Sequence, residues 1–227
     1  AVTLLLGKVG HLVILPLFYK CVRLPEGPVR AKIVALLEKE RFPVQDVCTV
    51  NLSRSTRKAN AAFCGFGATR RVLLADTLIE NFTPEEIEAV VAHELGHCRR
   101  RHLAKGVLFG AVMSAVTFYA GFRFLNAWAA PMGFEAPGDI ASFPLLGLVA
   151  WAAGLFLMPA GNVFSRFQER EADDFAVRET GRRDALAAAL RKLGILNLSD
   201  FEPHPLLEFL MYSHPSLAKR IRRVQSL

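Results

Sequence analysis

Apolar and polar positions change period several times along the chain, and each change marks an element. Residues 28–40, PVRAKIVALLEKE, alternate apolar and charged positions at helical spacing and predict an amphipathic helix. The pattern then turns strand-like. DVCTVNLS (46–53), ANAAFCGF (59–66) and RRVLLAD (70–76) predict three strands, with Gly65 and Gly67 where the last two must turn. The three strands predict a small antiparallel sheet. Helical spacing returns after Thr83, a candidate N-cap, with Pro84 as first helical residue and Glu86 closing a capping box. Ile87, Val90 and Val91 carry that helix through His97.

Two stretches then lose their charged positions altogether, 106–122 and 140–164. Crossing a bilayer takes roughly 20 apolar residues. The second stretch has that length, and the first reaches it by including Phe124 and Leu125 around Arg123. Two buried core helices are the alternative. The loop between them is nearly free of Lys and Arg, whereas both outer flanks are rich in them. By the positive-inside rule, the flanks and the histidine-bearing helix face the cytoplasm, and the two stretches form a transmembrane helical hairpin. Residues 1–19 are also apolar, interrupted by Lys8 and His11, and lack the charged start and cleavage site of a signal peptide. They read as the end of a membrane helix cut from a longer protein, ended or kinked by Pro16. Beyond the hairpin, SRFQEREADDFAVRETG (165–181) predicts a polar helix stopped by Gly181. RDALAAALRKLG (183–194) predicts another with Gly194 as its stop, and a Pro-punctuated tail ends helical and basic.

Composition agrees with a membrane protein. Hydrophobic residues make up 52% of 227, and mean hydropathy is +0.28. A net charge of +7 fits nucleic acid or an anionic membrane face. The cations flank apolar runs, in RRRH, RFQER and KRIRR, and are not interleaved with aromatics. The lipid bilayer is therefore the expected partner, and nucleic acid is not. Cys21, Cys48, Cys64 and Cys98 have no CxxC spacing, so no disulfide framework is expected and a reducing compartment fits.

The chemistry is carried by HELGH, residues 93–97. His93 and His97 lie four apart, so both imidazoles leave one helix face and one zinc ion can take both. Glu94 is rotated off that pair but stays beside the metal, placed to accept a proton from water whose pKa zinc lowers to about 7. Gly96 permits close approach at a crowded position, although glycine costs about 1 kcal/mol within a helix. A hydrolytic zinc needs three protein ligands and one open position. His102 lies about 140° round the helix from His97 and points elsewhere. The acidic helix after the hairpin is the best source: Glu169 as ligand, with Asp173 four residues on as the carboxylate that orients a zinc histidine through its other ring nitrogen. A solvated acidic helix is the bland alternative.

HELGH, a two-segment hairpin and SRFQEREADDFA together resemble the membrane zinc endopeptidases that include the type I CAAX prenyl protease and bacterial HtpX. PLFYKCVRLPEG, NAAFCGFG and YSHPSLAKRI are similar to the CAAX-protease branch. The resemblance covers nearly the whole chain. It implies that Glu169, the glutamate of the SRxxExxAD pattern, is the third zinc ligand. It also implies that His214 and Arg220 lie near the active site and help hold substrate or stabilise the transition state; His214 can donate to a developing oxyanion. The family strand maps onto Asn60, Ala61, Ala62 and Phe63, an edge to which an extended peptide can add through main-chain hydrogen bonds. The family usually has tyrosine where Ala62 stands, which bears on side-chain specificity and not on catalysis. Larger family members carry several membrane helices before this region.

The resulting expectation is a mainly α protein with a small antiparallel sheet (α+β), integral to the membrane, with a gluzincin-type HExxH core. Its parts are the end of a membrane helix (1–19), a cytoplasmic catalytic part (20–105), the transmembrane hairpin (106–164), and cytoplasmic helices with the third ligand and the SHP motif (165–227). One Zn2+ per chain serves hydrolysis of peptide bonds in a membrane-anchored peptide or protein. The site faces the cytoplasm, at the inner membrane if bacterial or the endoplasmic reticulum if eukaryotic. The rivals are an HtpX-like quality-control protease and a non-catalytic scaffold with a structural zinc.

Overall fold

The computed structural model describes residues 21–54, 56–65, 67–135 and 139–227. The expected membrane helix end at 1–19 lies outside them. In chain order the elements are β1 (Cys21–Arg23), α1 (Pro28–Lys39), β2 (Asp46–Val50), β3 (Ala61–Cys64), β4 (Arg71–Ala75), α2 (Asp76–Asn81), α3 (Pro84–Arg99), α4 (His102–Trp128), α5 (Phe143–Thr180), α6 (Arg183–Leu196), α7 (Pro205–Met211) and α8 (Leu217–Ser226). They group into two compact units. The first takes residues up to 100, 169–203 and 215–227; the second takes 101–168 and 204–214.

The first unit is built around its sheet, ordered β1-β2-β4-β3. The sheet is mixed and not antiparallel as the strand pattern predicted. β1–β2 and β3–β4 are antiparallel, but β2 and β4 run parallel, with Val47 opposite Val72 and Thr49 opposite Leu74. The reason lies in the connection 51–60. It carries the chain past the neighbouring position to the far edge, so the β3–β4 hairpin inserts β4 beside β2 after two reversals. Asp76 fixes that connection by accepting the Leu52 and Ser53 amides at 2.9 and 3.1 Å, and the Thr77 hydroxyl donates to the Lys58 carbonyl at 2.9 Å. The hairpin turn needs Gly65 at φ +83°, where a Cβ would sit 2.5 Å from the Thr69 carbonyl oxygen. One sheet face meets Ile33, Leu36 and Leu37 of α1, Ile87, Val91 and Leu95 of α3, and Leu186 and Leu190 of α6 in one buried core. β1 and α2 carried no sequence signal that announced them.

Helix starts follow their sequence signals more closely than helix ends. Thr83 Oγ1 accepts the Glu86 amide at 3.3 Å while Glu86 Oε2 accepts the Thr83 amide at 2.8 Å, a complete capping box. Gly181, at φ +65°, ends α5. Gly194 does not end α6, which continues to Leu196. Its missing side chain has a packing role: a Cβ there would meet Leu217 at 2.5 Å and Phe201 at 2.6 Å.

The second unit holds α4 and the first part of α5, packed antiparallel. Phe109 stacks on Phe164 with centroids 4.5 Å apart, and a Cβ on Gly121 would lie 3.0 Å from Leu146. Both helices are long and apolar enough to cross a membrane, and α4, at about 40 Å, exceeds a hydrocarbon core of about 30 Å. α5 runs unbroken through the 164/165 boundary expected between hairpin and acidic helix, with Pro159 inside it. His102, set aside as a ligand, is the buried first residue of α4.

Candidate active site

Two helices of the first unit bring the acid and the histidines together. His93 and His97 leave the same face of α3, and their Nε2 atoms stand 3.1 Å apart. Glu169, on α5, sets Oε2 at 3.5 Å from His93 and Oε1 at 3.4 Å from His97. The helices approach closely because Gly96 faces the other helix. A Cβ there would lie 3.1 Å from the Ala172 Cα and 3.2 Å from Phe175. Gly96 therefore trades helix propensity for the distance at which Glu169 reaches both histidines.

The three side chains fit zinc. Tetrahedral bonds of about 2.0–2.2 Å place neighbouring ligand atoms about 3.3–3.5 Å apart. The two His–Glu separations fall at that spacing, the His93–His97 separation is slightly shorter at 3.1 Å, and the donors are of the kinds zinc prefers. Among the described residues, this is the cluster of three or more His, Cys, Asp or Glu side chains close enough to share an ion.

A buried ion-pair network orients these groups from behind. Asp173 Oδ1 lies 2.9 Å from His93 Nδ1, which leaves Nε2 for the metal position. Arg220, on α8, grips Asp173 with two hydrogen bonds of 2.9 and 2.7 Å and lies 3.2 Å from Glu169 Oε2. The resemblance implied that Arg220 lies near the active site and helps hold substrate or stabilise the transition state; the structure sets it near the cluster, buried against Glu169 and Asp173. The sequence carried a readable sign of this. Arg220 falls on the apolar stripe Leu217, Ile221 and Val224 of α8, and a cation on a core-facing stripe needs a buried anion.

Electrostatics separate the roles. Burial alone would lower the His93 pKa, but hydrogen bonds to Asp173 and Glu169 outweigh it and hold the ring up at about 9. Burial pushes the Glu94 carboxyl above its usual range, with Glu169 adding to the rise and His93 and Arg220 opposing it. A raised pKa makes its carboxylate a stronger proton acceptor.

The strand residues have a defined geometry. β3 is an edge of the sheet, and among the described residues no strand pairs with its outer side. The Ala75 amide donates to the Asn60 carbonyl at 2.9 Å, and Ala62 stands opposite Leu73. In an antiparallel ladder the intervening Ala61 and Phe63 then turn their N–H and C=O groups outward. The Asn60 carbonyl is committed to the sheet. The Phe63 ring packs edge-on against Phe42 at 5.5 Å. His214 belongs to the second unit, where it is exposed and its Nδ1 lies 2.9 Å from Ser213 Oγ.

The chain is similar to known proteins along most of its length. Residues 23–227 match the model of peptidase family M48. The chain is 30% identical to CAAX prenyl protease 1 of Saccharomyces cerevisiae, over 92% of this chain and 50% of that protein. It is 33% identical to the CAAX prenyl protease 1 homolog of Arabidopsis thaliana, over 98% and 53%. An uncharacterized metalloprotease of Bacillus subtilis, YhfN, is 29% identical over 98% and 53%. The crystal structure of Ste24p from S. mikatae superposes with a TM-score of 0.85 at 27% identity, covering 98% of this chain and 56% of that one. The chain spans about half the length of the curated relatives it matches. With the family model covering all but its first residues, the chain belongs to peptidase family M48.

Proposed function

We propose that the chain is the zinc-holding part of a membrane metalloendopeptidase that hydrolyses peptide bonds of membrane-associated substrates, of the CAAX-prenyl-protease type. The observation that carries this reading is the three-ligand cluster with Glu94 one residue from His93. Three protein ligands leave a fourth position for water or substrate, which a structural zinc would fill with protein. Bound zinc supplies Lewis acidity that polarises the carbonyl and makes water nucleophilic near neutral pH. Glu94 takes a proton from the attacking water as its oxygen bonds to the carbonyl carbon. Glu94 then passes that proton to the leaving amine as the C–N bond breaks. Asp173 and Arg220 hold His93 and Glu169 in place and act as positioning residues.

The substrate would add to β3 as an extended strand, paired with the outward groups of Ala61 and Phe63 and flanked by Asn60 and Ala62. Such pairing asks little of side chains, which suits a position where Ala62 replaces the family's tyrosine. His214 would donate to the developing oxyanion. The cations flanking α4 and α5 favour a site on the cytoplasmic side. The names of the relatives support a CAAX-type substrate. Cleavage of a prenylated CAAX peptide, compared with an unprenylated one, tests that finer step.

Glu94→Gln tests the chemistry. The variant should keep one zinc per chain by metal analysis and lose cleavage of a membrane-tethered peptide by at least about 100-fold, the scale of a positioned general base. Full activity with zinc retained would overturn the mechanism.

A further inference from the structure

Helix α7 is inside out. Its one carboxylate side chain, Glu208, is buried at 5% exposure, whereas Leu206, Leu207, Phe209 and Met211 stand 58, 53, 51 and 60% exposed. Large apolar side chains are stabilised by burial and a carboxylate by water, so a helix facing water would show the reverse pattern.

Hydrogen bonds fix where this face lies along the hairpin. Asn162 donates to the Leu210 carbonyl at 2.6 Å, and Arg166 donates to the carbonyls of Glu208 at 3.0 Å and Tyr212 at 2.6 Å. α7 is thus fastened to α5 where the uncharged run 140–164 ends. Gln168 donates to the His102 carbonyl at 3.3 Å, so α4 starts at the same level. Its outward apolar face begins there, with Leu103, Val107 and Leu108, and α5 adds Val163 and Phe167. Arg101 and Lys105 are exposed at that end.

We propose that α7 lies in the interfacial zone of the bilayer, with Leu206, Leu207, Phe209 and Met211 among the headgroups and upper acyl chains. This rests on the reading of α4 and α5 as membrane-spanning. Three features select lipid as the occupant. The α7 face lies at the level where the exposed apolar residues of α4 begin, Leu103, Val107 and Leu108, and where α5 exposes Val163 and Phe167. The exposed cations Arg101 and Lys105 at the start of α4 match anionic headgroups. The buried Arg166 satisfies carbonyls at the end of α7, as backbone polar groups require where water is scarce. The SHP segment begins two residues after α7 ends, so His214 would stand at the membrane surface, where a lipid-anchored substrate presents its peptide.

Photocrosslinking in nanodiscs of phosphatidylcholine with phosphatidylglycerol tests this. p-Benzoylphenylalanine is placed separately at Leu207 and Phe209, at Phe156 within the apolar run, and at the exposed Glu202. Circular dichroism and the emission of Trp128 and Trp151 matching the unaltered protein, together with retained zinc content, show that each variant folds. Mass spectrometry should find phospholipid adducts at 207 and 209 at yields comparable to position 156, and none at 202. Crosslinks from 207 and 209 only to protein, or no adducts there, with lipid adducts at 156, would overturn the interfacial placement and leave the hairpin reading standing. Absence of lipid adducts at 156 would remove the hairpin reading and the proposal with it.

Discussion

His93 serves two partners at once, and its proton decides between them. Nε2 faces the metal position while Nδ1 meets Asp173, which Arg220 grips in turn. With its pKa held at about 9, the ring of the metal-free protein carries a proton at pH 7, and zinc must displace it. The sign follows directly. Zinc affinity falls as pH drops below about 9, by about 100-fold between pH 9 and 7. The metal-free fold behaves oppositely: the stabilisation from the raised pKa is fully present below about 6.5 and is lost as pH rises through about 9. Adding zinc to metal-free protein at pH 7 in weak buffer should therefore release about one proton per ion. Asp173→Asn should reduce that release and weaken zinc binding by about 10–100-fold. Zinc uptake without proton release in the unaltered protein would show that His93 is already neutral.

At the scale of elements, the site is a crossing of α3 and α5 set by one missing methyl group. Gly96→Ala gains about 1 kcal/mol of helix propensity but presses a Cβ onto the α5 backbone at Ala172, where only a shift of the helix gives room. The expected result is near-native helicity by circular dichroism with zinc affinity about tenfold weaker, because Glu169 rides on the displaced helix. Unchanged affinity would mean that the crossing yields without moving its ligand. Much of this candidate site is legible in the sequence because it depends on local spacing: HELGH sets His93 and His97 on one face by the helical period, and Glu169 and Asp173 share a face by the same rule. The sheet is less legible. The parallel pairing of β2 with β4 depends on where the connection 51–60 lands, and Asp76 and Thr77 hold that connection through contacts that no periodicity encodes. Gly194 read as a stop because its real constraint, the approach of Leu217 and Phe201, comes from residues that follow it in the chain. Arg220 stood on a legible stripe, but its partner Asp173 lies 47 positions earlier.

On the scale of the whole molecule, metal and membrane belong to different units. His93, His97, Glu169, Asp173 and Arg220 fall in the first, whereas the two apolar helices make up most of the second. The cluster draws on α3, α5 and α8, three segments that the unfolded chain leaves far apart, so zinc binding adds to the folding free energy of the first unit. At a free zinc concentration 1,000 times Kd that addition is about 4 kcal/mol, on the order of 10 °C in Tm for a unit of this size. The chain supplies its own reporters for separating the two. Both tryptophans, Trp128 and Trp151, lie in the second unit, so tryptophan fluorescence follows the apolar helices, while calorimetry follows the whole protein. Chelation should move the main calorimetric transition down by on the order of 10 °C and shift the fluorescence transition by much less. If both fall together by the same amount, the units unfold as one, and the metal site stabilises the membrane helices as strongly as the sheet.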